Sequence, residues 1–169
     1  VLPDMITFSP DGKRVLTADE AQPSEYPATA ATDPEGSISI VDLSNGVLSA
    51  TVRTASFTDF NVGGSRNGEL DSDVRIFGVG ATVAQDLEPE YISISPDGSK
   101  AYATLQENNA LAIVNVLSAT VEAIVPLGFK DHSSTGNGLD ASDRDGAGNT
   151  AAISITTKPI LGMYQPDGI

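Results

Sequence analysis

The chain contains no cysteine, no tryptophan and a single histidine, and it carries nine basic side chains against 23 acidic ones in 169 residues. Without cysteine there is no disulfide framework, no thiolate metal site and no thiol catalysis. The compartment stays open on that count, because a secreted chain large enough to bury a core does not need disulfides. The shortage of Lys and Arg leaves a formal charge of −14, which repels a phosphate backbone and excludes nucleic acid as an expected partner. No apolar run approaches the roughly 18 residues of a membrane-spanning helix. The start Val1-Leu2-Pro3-Asp4 shows neither a basic n-region nor an apolar h-region, so no signal peptide is visible. Helical periodicity is missing too: no apolar stripe at i, i+3, i+4, i+7 lasts three turns, so helices should be few and short.

What is abundant is Gly (16) and Pro (10), set with Ser, Thr and Asp between short apolar runs. That punctuation predicts an all-β protein. An internal repeat sharpens the prediction. Pro3-Asp-Met-Ile-Thr-Phe-Ser-Pro-Asp-Gly12 aligns with Pro89-Glu-Tyr-Ile-Ser-Ile-Ser-Pro-Asp-Gly98, each a strand closed by a Ser-Pro-Asp-Gly turn. In that turn Pro presets φ, Asp bonds locally and Gly accepts a positive φ. Return strands are expected at 13–18 and 100–105. A second matched pair, 37–43 and 110–116, leads into fourth strands at 47–54 and 120–126. The unit is a four-stranded antiparallel meander, the blade of a β-propeller.

The predicted organisation is a blade over 4–54, an insertion over 55–87, a blade over 88–127, an insertion over 128–164, and the start of a next blade at 165–169. Gln165-Pro-Asp-Gly-Ile169 repeats the Pro-acid-x-Ile form of Pro3–Ile6 and Pro89–Ile92. Two blades do not close a ring, so the expected partners are the remaining blades of a longer parent chain or other polypeptide chains. The alternative is a two-blade open sheet that dimerises.

The repeat places an acid at each blade entrance: Asp4, Glu90 and Asp167, with Glu88 beside the second. The first strand of a blade lines the central channel, so these carboxylates converge on one mouth. Converging carboxylates repel unless a cation sits among them, and an all-oxygen donor set selects calcium or magnesium. The competing reading is an acid that merely starts an exposed strand. Glu20 and Glu107, at the ends of the second strands, could reach the same mouth or could be polar loop residues.

In the second insertion, Gly138–Asn149 contains Asp140, Asp143 and Asp145 among glycines. It fails as an EF-hand, since Ala141 falls at the first ligand position and no helices flank it. Another calcium loop and a solvated acidic turn both remain open. His132, in Lys130-Asp131-His132-Ser133, is a candidate proton-transfer group without a Gly-x-Ser-x-Gly elbow near it. Arg53, Arg75 and Lys130 are the basic groups that could grip a phosphate. The run 61–68, Asn-Val-Gly-Gly-Ser-Arg-Asn-Gly, lacks the context of a phosphate-binding loop and reads as a flexible tip.

The segments Val74–Ile92, Ala103–Val114, Pro126–His132 and Gly138–Asp143 together resemble the choice-of-anchor I family of secreted, propeller-containing proteins. Relatives in that family include atypical alkaline phosphatases and a biomineral-associated cell-surface glycoprotein. The resemblance implies a secreted, periplasmic or cell-surface location, a β-propeller and calcium dependence. Two activities follow as alternatives. One is metal-dependent hydrolysis of a phosphate ester, with Glu90 and His132 as catalytic residues and metal held by Asp4, Glu88, Glu90, Glu107, Asp140, Asp143 and Asp167. The other is a non-catalytic binding or structural module.

Overall fold

In the computed structural model, residues 2–25 and 32–169 are described. Part of the long loop expected at 21–36 lies outside them. Two four-stranded antiparallel meanders dominate, in the orders β1-β2-β3-β4 and β5-β6-β7-β8. The first consists of β1 (Pro3–Phe8), β2 (Arg14–Asp19), β3 (Ser37–Asp42) and β4 (Thr51–Ser56). The second consists of β5 (Pro89–Ile94), β6 (Lys100–Leu105), β7 (Ala110–Asn115) and β8 (Thr120–Pro126). The protein is thus all-β, built from two propeller-type blades, with one four-residue helical turn, α1 (Val83–Asp86), and two 3-10 turns among the described residues.

The hairpins behave as their turn chemistry requires. Gly12 and Gly98 take φ of 68° and 72°, and their N–H groups donate to Ser9 and Ser95 carbonyls at 2.8 Å. Asp11 and Asp97 accept from the Ser9 and Ser95 hydroxyls at 2.6 Å, which fixes both turns in the same form. The fourth strand of the first blade departs from expectation. Gly46 at φ 86° delivers the chain into a 3-10 turn, Val47–Ser49, so β4 begins only at Thr51. Val47 and Leu48 are exposed there, so their apolar character carried no strand information.

Alternation decides the core. Leu16, Ala18, Ile38, Ile40 and Ala55 project from one face of the first sheet and are buried. They meet the face of the second sheet formed by Ile92, Ala101, Ala103, Leu105, Ala110, Ala112 and Val114 in one continuous cluster. Large side chains on one sheet face small ones on the other, which lets the sheets approach closely; β5 packs on β1 and β2, and β4 on β8. Each fully buried Leu or Ile contributes about 1.5–3 kcal/mol.

The first insertion is part of this core rather than a loose excursion. Phe57, Phe60, Val74, Ala84 and Leu87 belong to the same cluster. Thr82 and Gln85 form a reciprocal capping box that starts α1. Gly36 donates to the Ala84 carbonyl at 2.8 Å, and a Cβ there would stand 1.9 Å from the Leu87 carbonyl oxygen, so only glycine fits. The expected flexible tip at 61–68 is also structured: Asn61 accepts from the Ala84 N–H at 2.8 Å, and Arg66 stacks on Phe60 with its guanidinium 4.4 Å from the ring centre.

Residues 128–164 form a second compact unit, while 1–127 and 165–169 form the first. The second unit is held by a short pair, β9 (Lys130–Asp131) with β10 (Leu161–Gly162), and by a bridge between Leu139 and Thr156.

Candidate functional site

Antiparallel pairing places the start of a blade's first strand beside the end of its second, which is why acids distant in sequence gather at one edge. Pro3 pairs with Asp19 and Pro89 with Leu105, so Asp4, Glu20, Glu88, Glu90 and Glu107 all sit near this end of the two meanders. A register irregularity follows each proline, between Pro3 and Met5 and between Pro89 and Ile92. These bulges re-aim the acidic residue that follows the proline.

Glu88 and Glu90 are each only 8% exposed. The Glu88 backbone N–H donates to Asn108, but among the described residues nothing hydrogen-bonds or ion-pairs with its carboxylate. Glu90 lies against the amide of Gln106, which donates to Oε1 at 2.8 Å when its nitrogen faces the acid. Glu107 Oε2 is buried with no partner among the described residues.

Burial pushes the Glu88 carboxyl up to about 7, with Glu107, Glu20, Asp86 and Asp33 adding repulsion. Burial likewise raises Glu90, to about 8, followed by the charge of Glu107 and its hydrogen bond, then Glu20 and Asp4. Glu20 is raised by burial and by Asp4 and Glu107. The charges that bear most on these groups are all acidic, so the mouth is a site of unbalanced negative charge. An open cleft of about 540 Å³, walled by Leu2, Glu20, Gln22, Pro23, Thr32 and Pro34 among others, adjoins it through Glu20.

A buried scaffold unseen in the sequence holds the mouth in place. Asn108 is fully buried, and its amide donates to the carbonyls of Arg75 at 2.9 Å and Asp86 at 2.7 Å while its oxygen accepts from Glu88. Asp86, 4% exposed, accepts the Phe77 and Gly78 N–H groups at 2.7 and 2.5 Å. Buried Asp33 is raised by desolvation and by Asp86. Two of the candidate phosphate grips serve structure instead. Arg75 donates to the Glu107 carbonyl at 3.1 Å and stacks on Phe77, and Arg53 caps the carbonyls of Leu117 and Val116.

Asp167 is exposed in the segment 165–169. His132, Asp140 and Asp143 belong to the second compact unit, whereas Glu88, Glu90 and Glu107 belong to the first. His132 Nδ1 is 2.6 Å from the Asn137 carbonyl, which makes Nδ1 the protonated nitrogen. Asp140 accepts the Ser154 N–H at 3.1 Å and pins its loop; Asp143 is exposed beside Arg144. Lys130 is exposed on β9. Among the described residues no three His, Asp or Glu side chains stand at metal-ligating separation, and no helix is long and apolar enough to cross a membrane.

The family model of the choice-of-anchor I domain, a domain of secreted or cell-surface proteins, matches residues 1–169, the whole chain. No curated protein matches. Among solved structures, the hydrazine synthase of Kuenenia stuttgartiensis is similar at 18% identity and a TM-score of 0.40, over 76% of this chain. The chain spans about a quarter of that protein's length, 25%.

Proposed function

The chain belongs to the choice-of-anchor I family, and we propose that it is a calcium-binding blade pair of an extracellular propeller, with Glu88, Glu90 and Glu107 as the ligands. The supporting observation is the Glu88 carboxylate, nine-tenths buried, without a partner among the described residues, and facing other acids. A buried charge in that state is costly unless a cation neutralises it. The donor set is oxygen only, which suits a hard cation, and calcium accepts irregular coordination completed by water and carbonyls. Glu20 and Asp4 supply the outer charge. Closing the site requires the Glu107 and Glu20 side chains to draw in around the ion.

Binding fits this site better than turnover of a phosphate ester. A phosphomonoester is itself an anion, and the charges around Glu88 and Glu90 are negative. Calorimetric titration with calcium chloride tests the proposal. Wild type should bind one calcium per chain more tightly than magnesium. Glu90→Gln should weaken binding while leaving the chelated protein folded, since it removes a ligand charge and no packing. Equal thermal losses for that variant with and without calcium would make Glu90 structural and end the proposal.

A further inference from the structure

In the second blade, side chains from two neighbouring strands share one carboxylate on a third. Lys100 opens β6 and Asn115 closes β7, directly opposite each other in register. Opposed residues hold their Cβ atoms about 5 Å apart on one face of a sheet, so the lysine stem reaches the asparagine amide. Glu122 lies on β8 two residues beyond Thr120, the partner of Asn115. One Glu122 oxygen accepts from the Lys100 ammonium, and the other accepts from Asn115 Nδ2 at 3.0 Å. Asn115 Oδ1 accepts the N–H groups of Leu117 and Ser118, each at 3.0 Å. The carbonyls of those same two peptide groups, on Val116 and Leu117, accept from the Arg53 guanidinium of β4. A cation at the carbonyl end of a peptide group strengthens the donor at its N–H end. The Asn115 amide carbon therefore has two polarised donors on its oxygen, the arrangement that stabilises a developing oxyanion.

The first blade supplies an internal comparison. Its equivalent positions are Arg14, opposite Asp42, and Arg53, two residues beyond Thr51, the partner of Asp42. Arg14 and Asp42 form an ion pair at 3.3 Å. That set is inert, because a guanidinium keeps its proton and a carboxylate has no leaving group. The second blade replaces all three members at once: a primary amine stands for the guanidinium, an amide for the carboxylate, and a proton acceptor for the second cation. An ordinary cross-strand ion pair requires only one of those changes.

We propose that Lys100 and Asn115 become joined by an isopeptide bond that the chain forms itself, with Glu122 as the proton carrier. The Lys100 ammonium gives a proton to Glu122, and the freed Nζ lone pair attacks Asn115 Cγ. The Leu117 and Ser118 N–H groups hold the resulting Oδ1 oxyanion. Glu122 passes its proton to Nδ2 and takes one from Nζ as the Cγ–Nδ2 bond breaks. The departing ammonia carries that last proton away as ammonium, which restores the carboxylate; nothing is oxidised or reduced. In the resting pair Glu122 holds the Lys100 amine above its usual value, with Tyr102 and Asp97 adding to the effect. Lys100 and Asn115 in turn hold Glu122 low, and the two charged side chains are 41% and 35% exposed. The ammonium form prevails at neutral pH, so the bond forms slowly there and faster as pH rises. Once formed, it ties β6 to β7 covalently in a chain without cysteine and restricts the unfolded state as a disulfide does.

Peptide mapping by tandem mass spectrometry tests the proposal on the full chain, before and after incubation at about pH 9, closer to the lysine range. Expected is a cross-linked peptide carrying both Lys100 and Asn115, lighter by one ammonia than its two parts, whose share grows with time and with pH. Mapping is needed beside the intact mass, because the Asn-Gly pairs at Asn45, Asn67 and Asn137 lose the same ammonia on cyclising, without any cross-link. Lys100→Arg and Glu122→Gln, each checked for folding by circular dichroism, should yield no such peptide. The urea midpoint of wild type should rise as the peptide accumulates, while those of the two variants stay fixed. Wild type that yields no cross-linked peptide after incubation at about pH 9 overturns the proposal. So does Glu122→Gln forming the bond at the wild-type rate, or a cross-link that joins Lys100 to any residue but Asn115.

Discussion

Replacing Glu88 with glutamine tests the electrostatics of the acidic mouth directly. The side chain keeps its shape and loses its charge. In the folded protein the Glu88 carboxyl is raised from 4.5 to about 7, so the folded state binds a proton that the unfolded chain has released. The resulting stability is complete below pH 4.5 and is lost as pH rises through the folded value. At 1.36 kcal/mol per unit, the shift sets a ceiling of about 3 kcal/mol on the loss at pH 8. Partial access of water to the mouth reduces this to about 1.5 kcal/mol. In chelator at pH 8, Glu88→Gln should therefore melt about 3–6 °C above wild type. At pH 4 the two should melt together. Saturating calcium should reverse the order, since a ligand at a hundredfold its Kd adds about 2.7 kcal/mol to the form that binds it. Differential scanning calorimetry over this grid of conditions decides. A variant less stable than wild type in chelator at pH 8, or a gap that ignores pH, refutes the reasoning.

Wild-type protein in chelator should lose melting temperature steadily between pH 5 and pH 8, because Glu88 and Glu90 are both raised, and added calcium should flatten that slope. Asn108→Ala removes three hydrogen bonds of a buried side chain; it should cost about 3 kcal/mol or more in urea unfolding and loosen the proposed calcium site with it. Ala119 holds φ 55° where the first blade has Gly46 at φ 86°, so Ala119→Gly should stabilise by about 1 kcal/mol, read as a raised urea midpoint. Gly36→Ala drives a methyl into the Leu87 carbonyl and should cost about 2 kcal/mol or more by the same assay.

The blades were legible because their determinants are local. Ser-Pro-Asp-Gly specifies a turn from four adjacent residues, and the Ser/Ile alternation of 37–40 specifies a strand whose buried face carries Ile38 and Ile40, whereas 110–114 is apolar throughout and its buried face, Ala110, Ala112 and Val114, is set by packing. Where the determinant is tertiary, the sequence was silent. Phe57, Phe60, Val74, Ala84 and Leu87 follow no helical or strand period, so residues 55–87 read as an insertion although those five side chains help fill the core. The gathering of Asp4, Glu88, Glu90 and Glu107 followed from topology alone, since a hairpin brings the start of one strand to the end of the next. Asn108 could not be found that way. Its neighbours Gln106 and Glu107 look like polar turn residues, and only the folded chain reveals that its amide joins Arg75 and Asp86 to Glu88. That junction has a consequence for the site. The backbone of Glu88 is positioned by a side chain whose other bonds run to the insertion, so the proposed cation ligands are set by contacts outside their own strand. A change in the 75–86 segment should therefore alter the acidic mouth without touching any of its carboxylates.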